Sequence, residues 1–167
     1  MDVMRAIETR KSIRKYLPRP VEHEKLDKIA EAFRLAPSAR NGQNWKLLFV
    51  TDPEIKERIR EVSPSKHSMI TEAPVILIGT CAVRNVMTNG HRVDTIDVSI
   101  AMSFAMLEAW ELGLGTCWMA NYTEPGLREV LGLTDDVSVI AIMPLGYPDE
   151  DPEPKPRKAA KEVTAYV

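Results

Sequence analysis

The densest chemistry lies near the start of the chain, where Arg10, Lys11, Ser12, Arg14 and Lys15 crowd into one short stretch. In extended backbone alternate side chains share a face, so Arg10, Ser12 and Arg14 point the same way. Two guanidinium forks and a hydroxyl on one face suit a phosphate. The plainer reading is that these cations only complement the end of a preceding helix, worth about a few tenths of a kcal/mol each. A second polar group tips the balance toward a ligand. The loop APSARNGQNW, residues 36–45, combines a helix stop, small side chains, the amides of Asn41 and Gln43 and an anchoring Trp45. It offers many donors and acceptors with little bulk, as a polar heteroaromatic ligand needs, whereas a mere connection needs only Pro37, Asn41 and Gly42. A third group, Lys155, Arg157 and Lys158, sits in a proline-rich run. It can close on the same phosphate or serve as a solubilising tail, and charge alone does not choose.

Other chemistries find fewer groups. Cys81 and Cys117 lie in apolar runs with no Cys or His at metal-ligand spacing, and read as core thiols. His23 and His67 sit among charged helical residues, and His91 is a lone loop histidine, most simply an exposed one. Gly113-Leu114-Gly115 comes at the end of a helix, where it cannot aim a helix N-terminus at a pyrophosphate, so a Rossmann fold is a poor reading. Met102 and Met106 stand four apart on an apolar helix, the spacing of ordinary packing.

The elements that must position these groups follow from periodicity. Val3, Met4 and Ile7 predict a short helix capped by Asp2 and ending near Arg10, after which Ser12 to Tyr16 is extended. A helix is expected from about Glu22 to Leu35, stopped by Pro37, then a polar loop from Ser38 to Asn44. Leu47 to Thr51 reads as a strand, Pro53 starts a helix, and Ala73 to Val83 is a continuous buried strand. Asp97 is expected to cap a long, mostly apolar helix from Val98 to Leu112 at the centre of the fold. Thr116 to Ala120 is strand-like, Glu124 to Leu131 helical, and Val137 to Leu145 a second buried strand. Without a regular βαβ rhythm this order predicts an α+β fold.

The 167 residues favour one domain spanning 1–167, with 148–167 as an extended C-terminal arm, and can bury roughly 70% of the unfolded surface without staples. The 22 basic residues against 24 acidic ones, a net charge of -2, argue against a nucleic-acid partner and leave any anion site to be built locally. The charged opening is not secretory and no window approaches the ~20 apolar residues of a membrane span, so a cytoplasmic protein is expected.

In chain order, ETRKSIRKY, APSARNGQNW, DVSIAMSFAMLEAWELGLGTCWMA and LGYPDEDPEPKPRK resemble the FMN-dependent nitroreductase family, and the resemblance covers nearly the whole chain. It implies an α+β fold with a nitroreductase-like central sheet flanked by helices, in an interlocked homodimer that exchanges C-terminal tails and builds two FMN sites at its interface. Arg10, Ser12 and Arg14 would hold the FMN phosphate and ribityl chain, with Lys11 adding backbone contacts. The other protomer would supply Pro37, Ser38, Ala39 and Asn41, with Gln43 in the same signature. Trp118, Met119 and Ala120 would pass beside the isoalloxazine, largely through backbone, and Lys155 and Arg157 would join the phosphate. The tail from Glu162 to Val167 would wrap over the partner.

The family chemistry is transfer of reducing equivalents from NADH or NADPH through FMN to a small-molecule acceptor such as a nitroaromatic or quinone, with no catalytic side chain. Alternatives on the same resemblance are reductive dehalogenation, flavin modification, or FMN binding without turnover. The chain departs from many relatives at two places: Ser65 and Ser68 stand where an Asn and a Lys contact the flavin pyrimidine, with Lys66 as a substitute, and Ala120-Asn121 replaces a Glu-Gly pair. The stretch from Arg84 to Thr95, turning at Asn89-Gly90, is too short for a large lid, which implies an open site.

Overall fold

The computed structural model describes residues 2–167. The Asp2 carboxylate accepts the Arg5 N–H and starts α1 (Val3–Thr9), which ends where the backbone turns extended at Arg10. Next come α2 (His23–Arg34), β1 (Trp45–Val50), α3 (Pro53–Glu61) and a one-turn α4 (Met69–Glu72). The chain continues through β2 (Val75–Cys81), α5 (Val93–Glu111), β3 (Gly115–Thr116), α6 (Glu124–Leu131), β4 (Ser138–Gly146) and α7 (Ala160–Val163).

The strands form one antiparallel sheet in the order β1-β2-β4-β3. Every residue of β2 is buried, because the sheet is covered on both faces and a strand so placed needs no polar alternation. Val75, Leu77, Ala141 and Met143 pack with α2 and α5 in one cluster. Ile76, Ile78 and Ile142 pack on the opposite side with Ile59, Ile70 and Leu127 from α3, α4 and α6. A Cβ on Gly79 would stand 2.6 Å from Val98 Cγ1 and 2.9 Å from Met102 Cγ, so this glycine lets α5 lie directly on β2. Cys81 and Cys117 are free and buried, and burial pushes both thiols up, as inert core residues require.

The expected α+β order holds, with shifts that have physical causes. Strand pairing ends β2 at Cys81, short of Val83, and α4 is too brief to leave a periodic signal. The larger correction concerns α5, which starts at Val93 with Asp97 inside it and not at its cap. Asp94 takes over the first turn: its buried carboxylate accepts from Arg92 Nε, from Ser138 Oγ and from the Thr95 N–H. Among the described residues no helix is long and apolar enough to cross a membrane, and no cluster of metal-ligating side chains occurs.

Candidate functional site

After α1 the chain runs along the β3 edge of the sheet, where Ser12 bridges Thr116 and the Ile13 N–H donates to the Thr116 carbonyl at 2.9 Å. Ile13 turns inward and is 1% exposed, and the Tyr16 hydroxyl donates to its carbonyl at 2.6 Å. Burying Ile13 turns its neighbours Ser12 and Arg14 the other way, as extended backbone requires, but strict alternation does not hold along the segment, since Lys11 lines the same cleft as Arg10 and Tyr16 is buried again. The fit depends on Gly115, where a Cβ would stand 2.5 Å from Ile13 Cγ1. Gly115→Ala is therefore expected to cost about 1 to 3 kcal/mol, read as a lower urea midpoint. An unchanged midpoint would mean that Ile13 is not pinned there.

Arg10, Lys11, Ser12, Arg14, Lys155 and Arg157 line one cleft of about 760 Å³. The C-terminal arm reaches it by pairing with the segment beside Ile13. Tyr16 bridges Pro148, the Leu17 N–H donates to the Tyr147 carbonyl at 2.9 Å, and the Asp149 N–H to the Lys15 carbonyl at 3.0 Å. The late cations thus join the early ones, a choice that charge in the sequence left open. Burial first, and then the adjacent Arg157, push the Arg10 guanidinium below its ordinary value. Acids of the arm hold the rim of the cleft: Lys11 pairs with Asp151, and the Glu150 carboxylate accepts the Arg14 N–H. Among the described residues no carboxylate pairs with Arg10, Lys155 or Arg157. Glu8, Asp151 and Glu153 also line the cleft, but neighbouring cations without an ion pair, one of them partly desolvated, offer donors that suit a dianionic phosphate. The acids Glu150 and Asp151 were not foreseen, although the acidic half of the run PDEDPEPKPRK was their signal.

Trp110, near the end of α5, lines the same cleft, and its Nε1–H donates to Thr9 Oγ1 at 2.9 Å. Trp118, Met119 and Ala120 lie farther along the β3 edge. Met119 is buried, and both its backbone groups are taken by Ile142, at 2.9 and 3.0 Å, so it has no free backbone hydrogen bond for a ligand. Trp118 is half-buried and Ala120 exposed, and both lie outside β3, which ends at Thr116, on either side of the isolated bridge that Met119 makes with Ile142, so the expected strand from Thr116 to Ala120 is cut short.

The loop from Pro37 to Gln43 is elsewhere. It makes one 3₁₀ turn over Ala39–Asn41, and Arg40, Asn41 and Gln43 all have positive φ, of 54°, 54° and 50°. Ser38 Oγ accepts the Gln43 N–H at 3.1 Å, and Gln43 Nε2 donates to the Asn41 carbonyl at 3.1 Å. The loop is tied to α5 at Asp97, whereas the cleft meets α5 at Trp110. Thirteen residues of helix separate the two, about 20 Å at 1.5 Å per residue. Ser65, Lys66 and Ser68 are exposed between α3 and α4, with Lys66 at φ 42°. His91 is exposed on the short hairpin that closes when the Met87 N–H donates to its carbonyl at 2.8 Å.

A helix-flanked antiparallel sheet with a cleft rich in basic side chains on its edge defines the class of protein, an α+β fold with a polar cleft beside the sheet. The family model of the nitroreductase family matches residues 7–66 and 61–147, and the chain belongs to that family. It is 38% identical over 156 residues to a putative NADH dehydrogenase/NAD(P)H nitroreductase of Methanothermobacter thermautotrophicus, covering 91% of this chain and 80% of that one. It is 33% identical over 175 residues to an FMN reductase [NAD(P)H] of Bacillus subtilis, covering 93% of this chain and 70% of the relative. An FMN-dependent nitroreductase from Clostridium difficile superposes with a TM-score of 0.84 at 29% identity, covering 96% of each chain.

Proposed function

We propose that this chain is an FMN-dependent NAD(P)H oxidoreductase that delivers reducing equivalents to a small electron-poor acceptor, a nitroaromatic or a quinone. The observation that carries the reading is the basic cleft, in which Arg10, Lys155 and Arg157 come together from opposite ends of the chain with no ion pair to a carboxylate among the described residues. Arg10, Ser12, Arg14, Lys155 and Arg157 hold the phosphate and ribityl end of FMN, and Lys11 adds its backbone. The backbone of Trp118 and Ala120 runs beside the ring, with Met119 packed behind it. Bound FMN supplies the hydride chemistry, so the side chains bind, orient and exclude water without moving protons themselves.

Pro37, Ser38, Ala39, Asn41 and Gln43 act on the FMN of a second copy, because about 20 Å of α5 keeps them from their own cleft. A homodimer is further supported by an apolar groove of about 340 Å³ between α1, α2 and α5, lined by Val3, Ala6, Phe104 and Leu107. Val3 is 71% exposed and Phe104 42%, an apolar surface that a lone chain would leave wet. The arm beyond Asp151 is exposed along nearly its whole length, as a tail that wraps a partner would be.

The test is the visible spectrum of the purified protein after FMN is added and the excess removed, followed by NADH and then NADPH without oxygen. Retained flavin that bleaches with either donor supports the oxidoreductase reading. Retained flavin that bleaches with neither favours a binding protein, and no retained flavin removes the cofactor assignment. His91→Ala is expected to keep the rate of NAD(P)H oxidation within about twofold of wild type, since the hairpin carries no group of the site. A larger loss would bring the hairpin into the site.

A further inference from the structure

Asp97 is a carboxylate with an unusual position. It lies in the second turn of α5 and is 9% exposed, yet among the described residues no cation pairs with it. A charge removed from water needs compensation, and most buried carboxylates find it in Arg or Lys. Here both oxygens converge on one group, the Ala39 N–H, at 3.1 Å each. No other hydrogen-bond partner of this carboxylate occurs among the described residues.

The amide it grips is a consequential one. Ala39 opens the 3₁₀ turn, where an N–H has no partner within the turn, and the Asn41 and Gly42 N–H groups already bond Ser38 and Ala39 carbonyls at 2.9 and 3.0 Å. The residues that follow, Arg40, Asn41 and Gln43, all occupy the left-handed region without being glycine. Each such residue costs about 1 kcal/mol or more, and the conformation persists only where its surroundings over-determine it. The loop is otherwise exposed, and its internal ties are the Ser38 and Gln43 side chains. Asp97 is the anchor that reaches it from the rigid core, 58 positions away in the sequence.

We propose that Asp97 is a positioning residue for the loop 37–43, clamping the Ala39 amide so that the strained backbone is already set when a cofactor arrives. The proposal rests on the FMN reading above for what the loop touches, and on the geometry alone for what Asp97 does. It makes no contact with the cofactor and takes no part in hydride transfer. Its effect is preorganisation, which lowers the ordering cost paid on binding.

The test uses the full chain as wild type, Asp97→Ala and Asp97→Asn, with two readings. Hydrogen exchange of the cofactor-free protein follows the peptide spanning residues 38–43 and, separately, the later turns of α5. Quenching of flavin fluorescence gives the dissociation constant for FMN. Asp97→Ala is expected to speed exchange in 38–43 and to raise the dissociation constant, each by about tenfold, the scale of one hydrogen bond to a charged group. Later α5 amides should exchange as in wild type, which a general loss of stability would not allow. Asp97→Asn keeps one acceptor oxygen in place and is expected to recover part of both effects. If Asp97→Ala does not fold, Asp97→Asn carries the test, with a shift of about threefold or more in each reading. Unchanged exchange in 38–43, or a looser loop with wild-type affinity, overturns the proposal. A wild-type chain that binds no FMN removes the cofactor reading and the binding role with it. Exchange alone then decides whether Asp97 holds the loop.

Discussion

Arg10→Ala is expected to raise the dissociation constant for FMN by about tenfold to a hundredfold while leaving the cofactor-free protein as stable as before, or slightly more so. The two effects have opposite signs because one group serves two states. With phosphate present, the guanidinium makes charge-assisted hydrogen bonds worth about 1.5 to 3 kcal/mol. Without it, Arg10 is partly desolvated and faces Arg157 with no ion pair among the described residues to offset the repulsion. Removing it relieves that repulsion and exposes little apolar surface. The measurement is a flavin titration beside thermal melts with and without FMN, since a ligand stabilises the folded chain by RT ln(1 + [L]/Kd). Mutant and wild type should melt together without FMN and separate as it is added. Wild-type affinity in the mutant would remove the phosphate assignment, and an equal loss of stability in both conditions would make Arg10 a structural residue.

Asp94→Ala is expected to destabilise the fold by about 2 to 3 kcal/mol at neutral pH, the largest stability effect predicted for a single polar side chain here. Asp94 is fully buried and ties the first turn of α5 to the start of β4 through Arg92 and Ser138. Removing it leaves the Ser138 hydroxyl proton without its acceptor, whereas Arg92, 44% exposed, can turn to water, which keeps the cost below that of a wholly buried pair. The pH dependence has a definite sign. Burial by itself raises the carboxyl, but the bonds from Arg92, from Ser138 and from the Thr95 N–H outweigh it and hold Asp94 below its ordinary 3.8. A depressed carboxylate contributes stability that is present above the unfolded value and lost as pH falls through the folded one. The gap between wild type and Asp94→Asn in urea midpoint should therefore be constant near neutrality and close as the pH drops below about 4. A gap that persists or widens in acid would show that Asp94 is not ionised in the folded chain. The start of α5 also carries Asp97, so loosening it should reach the 37–43 loop.

How far the sequence alone reached depended on whether a signal was local. The boundaries of α1, α2 and α6 were legible within a residue or two, because Asp2, Pro37 and the apolar spacing act on adjacent backbone. Alternation about the buried Ile13 explains Ser12 and Arg14, but Lys11 joins them in the cleft against it. The start of α5 was misread because Asp97 ahead of an apolar run looks like a cap, whereas the helix begins at Val93 and contacts with Arg92 and the distant Ser138 hold Asp94 in its first turn. Met119 was expected to offer its backbone, but pairing with Ile142 consumes it, a partner more than twenty residues ahead. The acids Glu150 and Asp151 escaped notice for the same reason, as their partners stand at the other end of the chain.

What this sequence determined by itself is the kind of protein: an α+β chain with its own core, an extended basic opening suited to phosphate, a polar small-residue loop and a cationic arm. Those follow from propensity, periodicity and charge, which act over a few residues. Only the tertiary structure decided which of these groups meet. Pairing of residues 148 and 149 with 15 and 16 brings Lys155 and Arg157 to Arg10, while the length of α5 holds the loop at Asp97 about 20 Å away. Such meetings are set by sheet register and helix length together, and neither quantity belongs to any one stretch of the chain.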